Sequence, residues 1–433
     1  MPQYLPTAPY RGTRDFLPAV MSVREQVFHR LFAVIERYGF ARYDGPLLEA
    51  AEIYEAKSGR EIADLQLYTL TDRGGRRLAI RPEMTPSVAR MIAGNINTIS
   101  FPARWYCLVN CHRYERPQRG RVREHWQINA DIFGSDSPDS EIELFEMIHD
   151  MMGAVGATRD MYVLRASDRV LLFGVLSEVV GLSEEQISRV APIIDRWEKY
   201  PREQIAADAR EAGLSDAQFG ALEVALKAGA DVISELSDSV RERSQLAKIL
   251  ASGTGDLVTF DPTVVRGFEY YTSTVFEVFD RDPQNPRSLL GGGRYSDLVG
   301  LFSDRQVPAV GFAMGDVTLF DFLETHGLAP APESVADVAV AGVNADMNAE
   351  LREVARHLRR AGLRVTMPLD FRKLGKQIAD ADKAGIETVV IVGPADWAEG
   401  NVSIRHLPSS TQETAPIGDA AQIILRRQAA AGE

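Results

Sequence analysis

The stretch from Cys111 to Gly134, CHRYERPQRGRVREHWQINADIFG, constrains the fold more than any other part of the chain. Five arginines, Arg113, Arg116, Arg119, Arg121 and Arg123, fall within eleven residues, and the PQRG in their midst breaks the chain into a turn. The pattern predicts a strand, an arginine-rich loop and a returning strand. On the returning side Arg123, His125, Gln127, Asn129 and Asp131 alternate with Trp126, Ile128, Ala130 and Ile132, so a period of two puts polar groups on one face and apolar groups on the other. A basic loop then overhangs a sheet face lined with hydrogen-bonding groups. Taken alone, such a hairpin reads equally as an exposed ribbon with solvated arginines, and the rest of the chain has to decide.

With 433 residues the chain has room for two or three domains, and 45% apolar with 25% charged residues is ordinary for a globular protein. Lys and Arg total 48 against 61 Asp and Glu, a formal charge of -13, so overall charge disfavours adhesion to nucleic acid and any polyanion must meet a local patch. The two cysteines, Cys107 and Cys111, would lie roughly 13 Å apart on one strand, too far for a disulfide. They read as buried thiols in a reducing compartment rather than as a metal site. A signal pattern and an apolar run of membrane length are both missing from the sequence, which places the protein in the cytoplasm with no membrane partner.

Before the hairpin, PYRGTRDFLP is an irregular lead-in to a helix over about Met21 to Tyr38, and FARYDGPLLE, with Pro46, suits an edge or interface strand. LYTLTDRGGRRLAI predicts a hairpin turning at Arg73 to Gly75 and delivering Arg81, Pro82 and Glu83 to a helix that Thr85 would cap, with Pro86 in its first turn. At such a junction Glu83 is equally a capping carboxylate or a ligand. After the hairpin come a helix over Glu141 to Val155, a strand over Met161 to Arg165 and a helical run over 168–252, either an inserted domain or extra packing layers.

Sheet signal returns in FDPTVVRGFEYYTSTVFEVF, followed by Gly291 to Gly293 and by PAVGFAMG at 308–315. The glycine cluster suits either a turn or close approach of a ligand. GLAPAPE at 327–333 is a linker, separating a domain over 1–326 from a small α/β domain over 334–433 in which strands and helices alternate. The basic groups Arg352, Arg356, Arg359, Arg360, Arg372, Lys373 and Lys376 read as solvated helix faces or as a nucleic-acid surface.

Several of these pieces, in the same order, resemble class II aminoacyl-tRNA synthetases, and within them the histidyl-tRNA synthetase family. They are RGTRDFLP, RPEMT at 81–85, RYERPQRGR at 113–121, Gln127 with Asp131, VVRGFEYYTSTVFE at 264–277, GGGRY at 291–295 and the C-terminal α/β domain. The resemblance implies an α+β fold, an antiparallel-sheet catalytic core with a helical insertion, followed by an anticodon-binding-like domain. It implies a homodimer formed through the first helix and the strand near Pro46. It also implies ATP, bridging magnesium, L-histidine and tRNA(His) as cofactors and partners, with no metal site of the protein's own.

By the same resemblance, Arg113 and Arg266 are catalytic, Arg113 on the α-phosphate and Arg266 between the histidine carboxylate and that phosphate. Glu83, Thr85 and Gln127 would take the ammonium, Asp131 and Tyr271 would hydrogen-bond the two imidazole nitrogens, Tyr270 would line the pocket, and Met84 and Arg113 complete the histidine-binding set. Glu115 would accept from the adenine amino group, Arg121 would reach the outer phosphates, and His125, Gly293 and Gly315 complete the ATP set. His125 stands where the family stacks an aromatic residue on adenine, and Asp131 replaces a longer glutamate. Thr318 occupies the place of an arginine on the terminal phosphate, a task that would pass to Arg121, Arg123 or Arg294. The rival implied by resemblance is a histidine-sensing regulatory subunit of ATP phosphoribosyltransferase, which typically lacks the C-terminal domain.

Overall fold

The computed structural model describes residues 4–56, 65–194, 196–197, 200–253, 256–264 and 271–431. The chain divides into two compact units, Met1–Leu17 with Arg24–Pro330, and Pro18–Val23 with Ala331–Glu433.

In the first unit the strands are β1 (Ala41–Arg42), β2 (Leu48–Ala50), β3 (Tyr68–Thr71), β4 (Arg77–Ile80), β5 (Ala103–His112), β6 (Glu124–Phe133), β7 (Tyr162–Asp168), β8 (Thr259–Phe260), β9 (Thr274–Asp280), β10 (Ser288–Tyr295) and β11 (Ala309–Gly315). Among the described residues β2, β4 and β3 form a small sheet, and the rest form one sheet of order β1-β5-β6-β11-β10-β9-β7-β8. Its neighbours are antiparallel except at the ends, where β1 joins β5 and β7 joins β8 in parallel.

The arginine-rich hairpin is β5 with β6, and β6 is an interior strand. Its apolar row explains why: Ile128, Ala130 and Ile132 enter one core with Leu31 and Ile35 of helix Pro18–Arg37 and with Leu144 and Ile148 of helix Asp139–Ala154. On the opposite face Gln127, Asn129 and Asp131 are buried too. Polar groups withheld from water need partners, so this row marks a site and the reading of a solvated ribbon does not apply to it.

Several local expectations change. Helix Thr85–Gly94 starts at Thr85 itself and has Met84 in the capping position, with no side-chain cap; Pro86 sets the first turn without needing its N–H. Gly291 to Gly293 lie inside β10 between two strands, not in a turn. The described residues of the run 168–252 form helices, among them a π-helical turn at Val175–Val179 and a 3-10 helix at Gly229–Glu235, and Leu171, Val190, Leu222 and Leu246 share a core cluster with Phe276 and Val278 of the sheet. The run is thus a packing layer continuous with the sheet's core.

The second unit has strands β12 (Val338–Gly342), β13 (Val365–Thr366), β14 (Thr388–Val392), β15 (Asn401–His406) and β16 (Thr411–Pro416) in the order β13-β12-β14-β15-β16. The first three run parallel, while β15 and β16 are antiparallel additions. Strands β12 and β14 are buried along their whole length, because helices Asn348–Arg360 and Ile417–Ala431 cover one face and Leu374–Lys383 the other. The sequence pattern anticipates each of these elements except β16, whose first four residues are all exposed and carry no apolar alternation.

Candidate active site

A cleft of about 210 Å³ lies over the polar face of β6. Glu83 and Thr85 reach it from the junction before helix Thr85–Gly94, Arg113, Glu115 and Arg121 from the hairpin, and His125, Gln127 and Asp131 from β6. Tyr271 and Gly315 also line it. Two expected members stand apart. Met84 is fully buried and packs with Cys107, Val109 and Cys111, while Gly293 lies behind Tyr271, whose ring would be 2.6 Å from a Cβ placed there. Its strand contributes Gly291 to the cleft instead. Arg266 and Tyr270 lie outside the described residues.

The basic wall is held by bonds to backbone. Arg81 donates from Nε to Asn110 O at 2.8 Å and from Nη1 to Gly45 O at 2.8 Å, and Arg113 Nε donates to Pro82 O at 2.9 Å. These contacts fasten the segment carrying Glu83 to β5. Arg121 Nε pairs with Glu115 Oε2 at 2.8 Å. At the hairpin's base, Arg123 N and Glu124 N donate to Gly12 O at 2.8 and 3.2 Å. The buried Asp316 accepts from Arg14 at 2.9 Å, from Arg24 at 2.6 Å and from Trp126 N at 3.0 Å. RGTRDFLP is therefore a brace that ties the hairpin to helix Asp316–Thr325, a role its sequence does not announce.

At the other end Asp131 is 2% exposed, and Tyr295 Oη donates to its Oδ1 at 2.7 Å. Its Oδ2 has no hydrogen-bond partner among the described residues. Burial pushes this carboxyl up to about 7 despite the tyrosine bond. Gly311, opposite Asp131 in the β6–β11 register, makes the arrangement possible: a Cβ there would be 2.0 Å from Asp131 Oδ1. Cys111 Sγ donates to Gln127 Oε1 at 3.5 Å, which turns the amide's donors away from that thiol. His125 is pushed down to about 3 by burial and by the charges of Arg113 and Arg14, so its ring is neutral and available for stacking on a base.

The raised carboxyl gives a pH test. The unfolded chain releases this proton near 3.9 and the folded one near 7, so the group favours the folded state below about pH 4 and that support is lost as pH rises through 7. In denaturant titrations of the ligand-free protein between pH 5 and 8, Asp131→Asn therefore shows a shallower fall in stability than the parent. Parallel profiles for the two proteins would reject a titrating Asp131.

Of the three arginines considered as substitutes at Thr318, only Arg121 lines the cleft. Arg123 lies over the Tyr114 ring at 4.3 Å with Nε on Glu115 O at 3.1 Å. Arg294 is 2% exposed and committed to Glu141. Sequence reasoning missed Tyr295, Gly311 and Arg287 as members of the cleft. Tyr295 ends the GGGRY stretch and was legible there; the other two are brought in by strand pairing and by a chain crossing, which leave no local signature.

The site is thus an arginine-walled cleft, acidic at one end and cationic at the other, on a largely antiparallel sheet. Residues 12–319 match the family model described as histidyl-tRNA synthetase, and residues 337–427 that described as an anticodon binding domain. The histidine–tRNA ligase of Leptospira biflexa is 37% identical over 428 residues, covering 98% of this chain and 98% of its own length. That of Halobacterium salinarum is 37% identical over 417 residues, covering 94% and 95%. Histidyl-tRNA synthetase from Nostoc sp. PCC 7120, a crystal structure, aligns over 98% of this chain and 100% of its own with a TM-score of 0.83 and 26% identity. The chain belongs to the histidyl-tRNA synthetase family.

Proposed function

We propose that the chain condenses L-histidine with ATP to histidyl-adenylate, releasing pyrophosphate, and then passes the histidyl group to the 3′ end of tRNA(His). The observation that carries the assignment of the site is the unfilled Asp131 Oδ2, buried in the same cleft as Arg113 and Arg121. A buried acceptor without a partner selects a ligand with an N–H to give, and imidazole has polar nitrogens on both sides, one for Asp131 and one for Tyr271. Thr85, Glu83 and Gln127 then face the ammonium. Arg113 holds the α-phosphate, Glu115 meets the adenine amino group while orienting Arg121, and neutral His125 stacks on adenine.

Magnesium enters with ATP, and when bound it shields the phosphate charge. Among the described residues no group of three His, Cys, Asp or Glu side chains could hold a metal ion. Positioning and electrostatic stabilisation account for the chemistry, with Arg266 in the role the family resemblance implies.

The reading extends to a catalytic domain over 1–326 and a tRNA-binding domain over 334–433, to a homodimer, and to action in the cytoplasm. The exposed Leu47 and Leu48 beside Pro46 support an interface there. No helix among the described residues is long and apolar enough to cross a membrane. Exchange of pyrophosphate into ATP, measured with each amino acid in turn, tests the activity: histidine alone supports exchange, and equal exchange with another amino acid, or none with histidine, rejects it. Light scattering at micromolar concentration separates dimer from monomer.

A further inference from the structure

The arginines around the cleft are unequally engaged. Arg121 is paired with Glu115, and Arg113 is tied to Pro82 O. Arg287, in the segment leading into β10, lines the same cleft but has no ion-pair partner among the described residues, and its one hydrogen bond runs from Nε to Arg119 O at 3.2 Å. Its two terminal nitrogens, with four N–H donors, are left for something other than the protein. Burial lowers the pKa of this half-buried guanidinium, and the neighbouring charge of Arg121 lowers it further. The Glu115 carboxylate, already paired with Arg121, offsets this only in part, and an anion entering the cleft can meet both guanidiniums.

Position indicates which anion. At the hairpin tip Gly120 has φ +71°, and a Cβ there would lie 2.6 Å from Arg287 Cδ and 3.4 Å from Thr318 Cγ2. The bare glycine thus lets the Arg287 stem cross the turn next to Thr318. That threonine uses its hydroxyl on Leu289 O at 3.3 Å and brings no charge, while Asp316 in the same helical turn is spent on Arg14 and Arg24. Arg119 also comes to this corner but donates to Asn285 Oδ1 at 2.9 Å and lines the far side of the turn, so of these arginines Arg121 on the hairpin side and Arg287 on the β10 side line the cleft.

We propose that Arg287 is a ligand for the outer phosphates of ATP, reaching from the approach to β10 into the corner where Thr318 offers no charge. It takes the task considered for Arg123 and Arg294, which the structure commits elsewhere. The inference rests on the reading of the cleft as the ATP site for histidine activation.

Calorimetric titration of the full-length protein with ATP and with AMP, in the presence of magnesium, tests it. Arg287→Ala and Arg287→Gln, the second keeping part of the stem, weaken ATP at least tenfold, about 1.4 kcal/mol. Both leave AMP, which has no outer phosphates, within twofold of the parent. In histidine-dependent pyrophosphate exchange the same variants raise the KM for ATP and leave the KM for histidine within twofold. Equal weakening of ATP and AMP would assign Arg287 a structural role, and unchanged ATP affinity would remove it from the site; either result overturns the proposal. A parent protein that binds ATP but performs no histidine-dependent exchange would reject the activation reading, with the ATP and AMP comparison still judging Arg287.

Discussion

Arg113→Ala lowers histidine-dependent pyrophosphate exchange by about 100- to 1,000-fold, roughly 2.7–4 kcal/mol of lost transition-state stabilisation. The side chain is fixed by its Nε bond to Pro82 O, which directs the rest of the guanidinium to the cleft without reorganisation when charge moves on the phosphate. The substitution removes a positioned charge and no core volume, and the lost bond to Pro82 O costs about 1 kcal/mol, so the variant remains folded. Lysine at 113 recovers little, because a point charge on a flexible stem cannot keep one planar nitrogen on the backbone while presenting others to an anion. Exchange within threefold of the parent would deny Arg113 this role. The variant also retains the His125 ring in its neutral form, since burial is the larger cause of that ring's low pKa and the charge of Arg113 the smaller.

Arg294→Ala acts on the fold. Its guanidinium donates from Nε to Glu141 Oε1 at 2.7 Å, from Nη2 to Glu141 Oε2 at 2.5 Å, and to the carbonyls of Ser135 at 2.8 Å and Ser137 at 3.0 Å. Glu141 has no exposed surface, so alanine strands a buried carboxylate and two backbone acceptors. The expected cost is about 3–5 kcal/mol, read as a lower midpoint in denaturant with an unchanged slope. The protein that remains folded binds ATP as the parent does, because Arg294 does not line the cleft. A loss below 1 kcal/mol, or a tenfold rise in the KM for ATP without loss of stability, would return Arg294 to the nucleotide site.

These two arginines show how far the sequence reaches. Arg113 was singled out because a run of arginines around the PQRG turn precedes a returning strand with alternating polar positions, and the family resemblance gave it a role; the structure puts it on the cleft. The same periodicities account for the β5–β6 hairpin, for helix Pro18–Arg37 and for the alternating α/β order after Pro330. Thr85, Gln127 and Asp131 could be placed on the cleft because each sits at a defined step of such a pattern. Arg294, one residue after three glycines, has the same local credentials as an anion ligand, and only the packing of β10 against helix Asp139–Ala154 assigns it to Glu141, 153 residues away.

The sequence by itself thus determined most of the elements, their order and the concentration of arginines at the hairpin, since those depend on neighbours within a turn or two of chain. Tertiary structure decided which charges are spent and which are left over. Asp316 is spent on Arg14 and Arg24, Arg294 is spent on Glu141, and Arg287 comes to the cleft because Gly120 lets its stem pass. Gly311 leaves room for Asp131 through a register set by the β6–β11 pairing. Ion pairs and close approaches between distant segments follow from distance and burial in three dimensions, quantities on which no local periodicity depends.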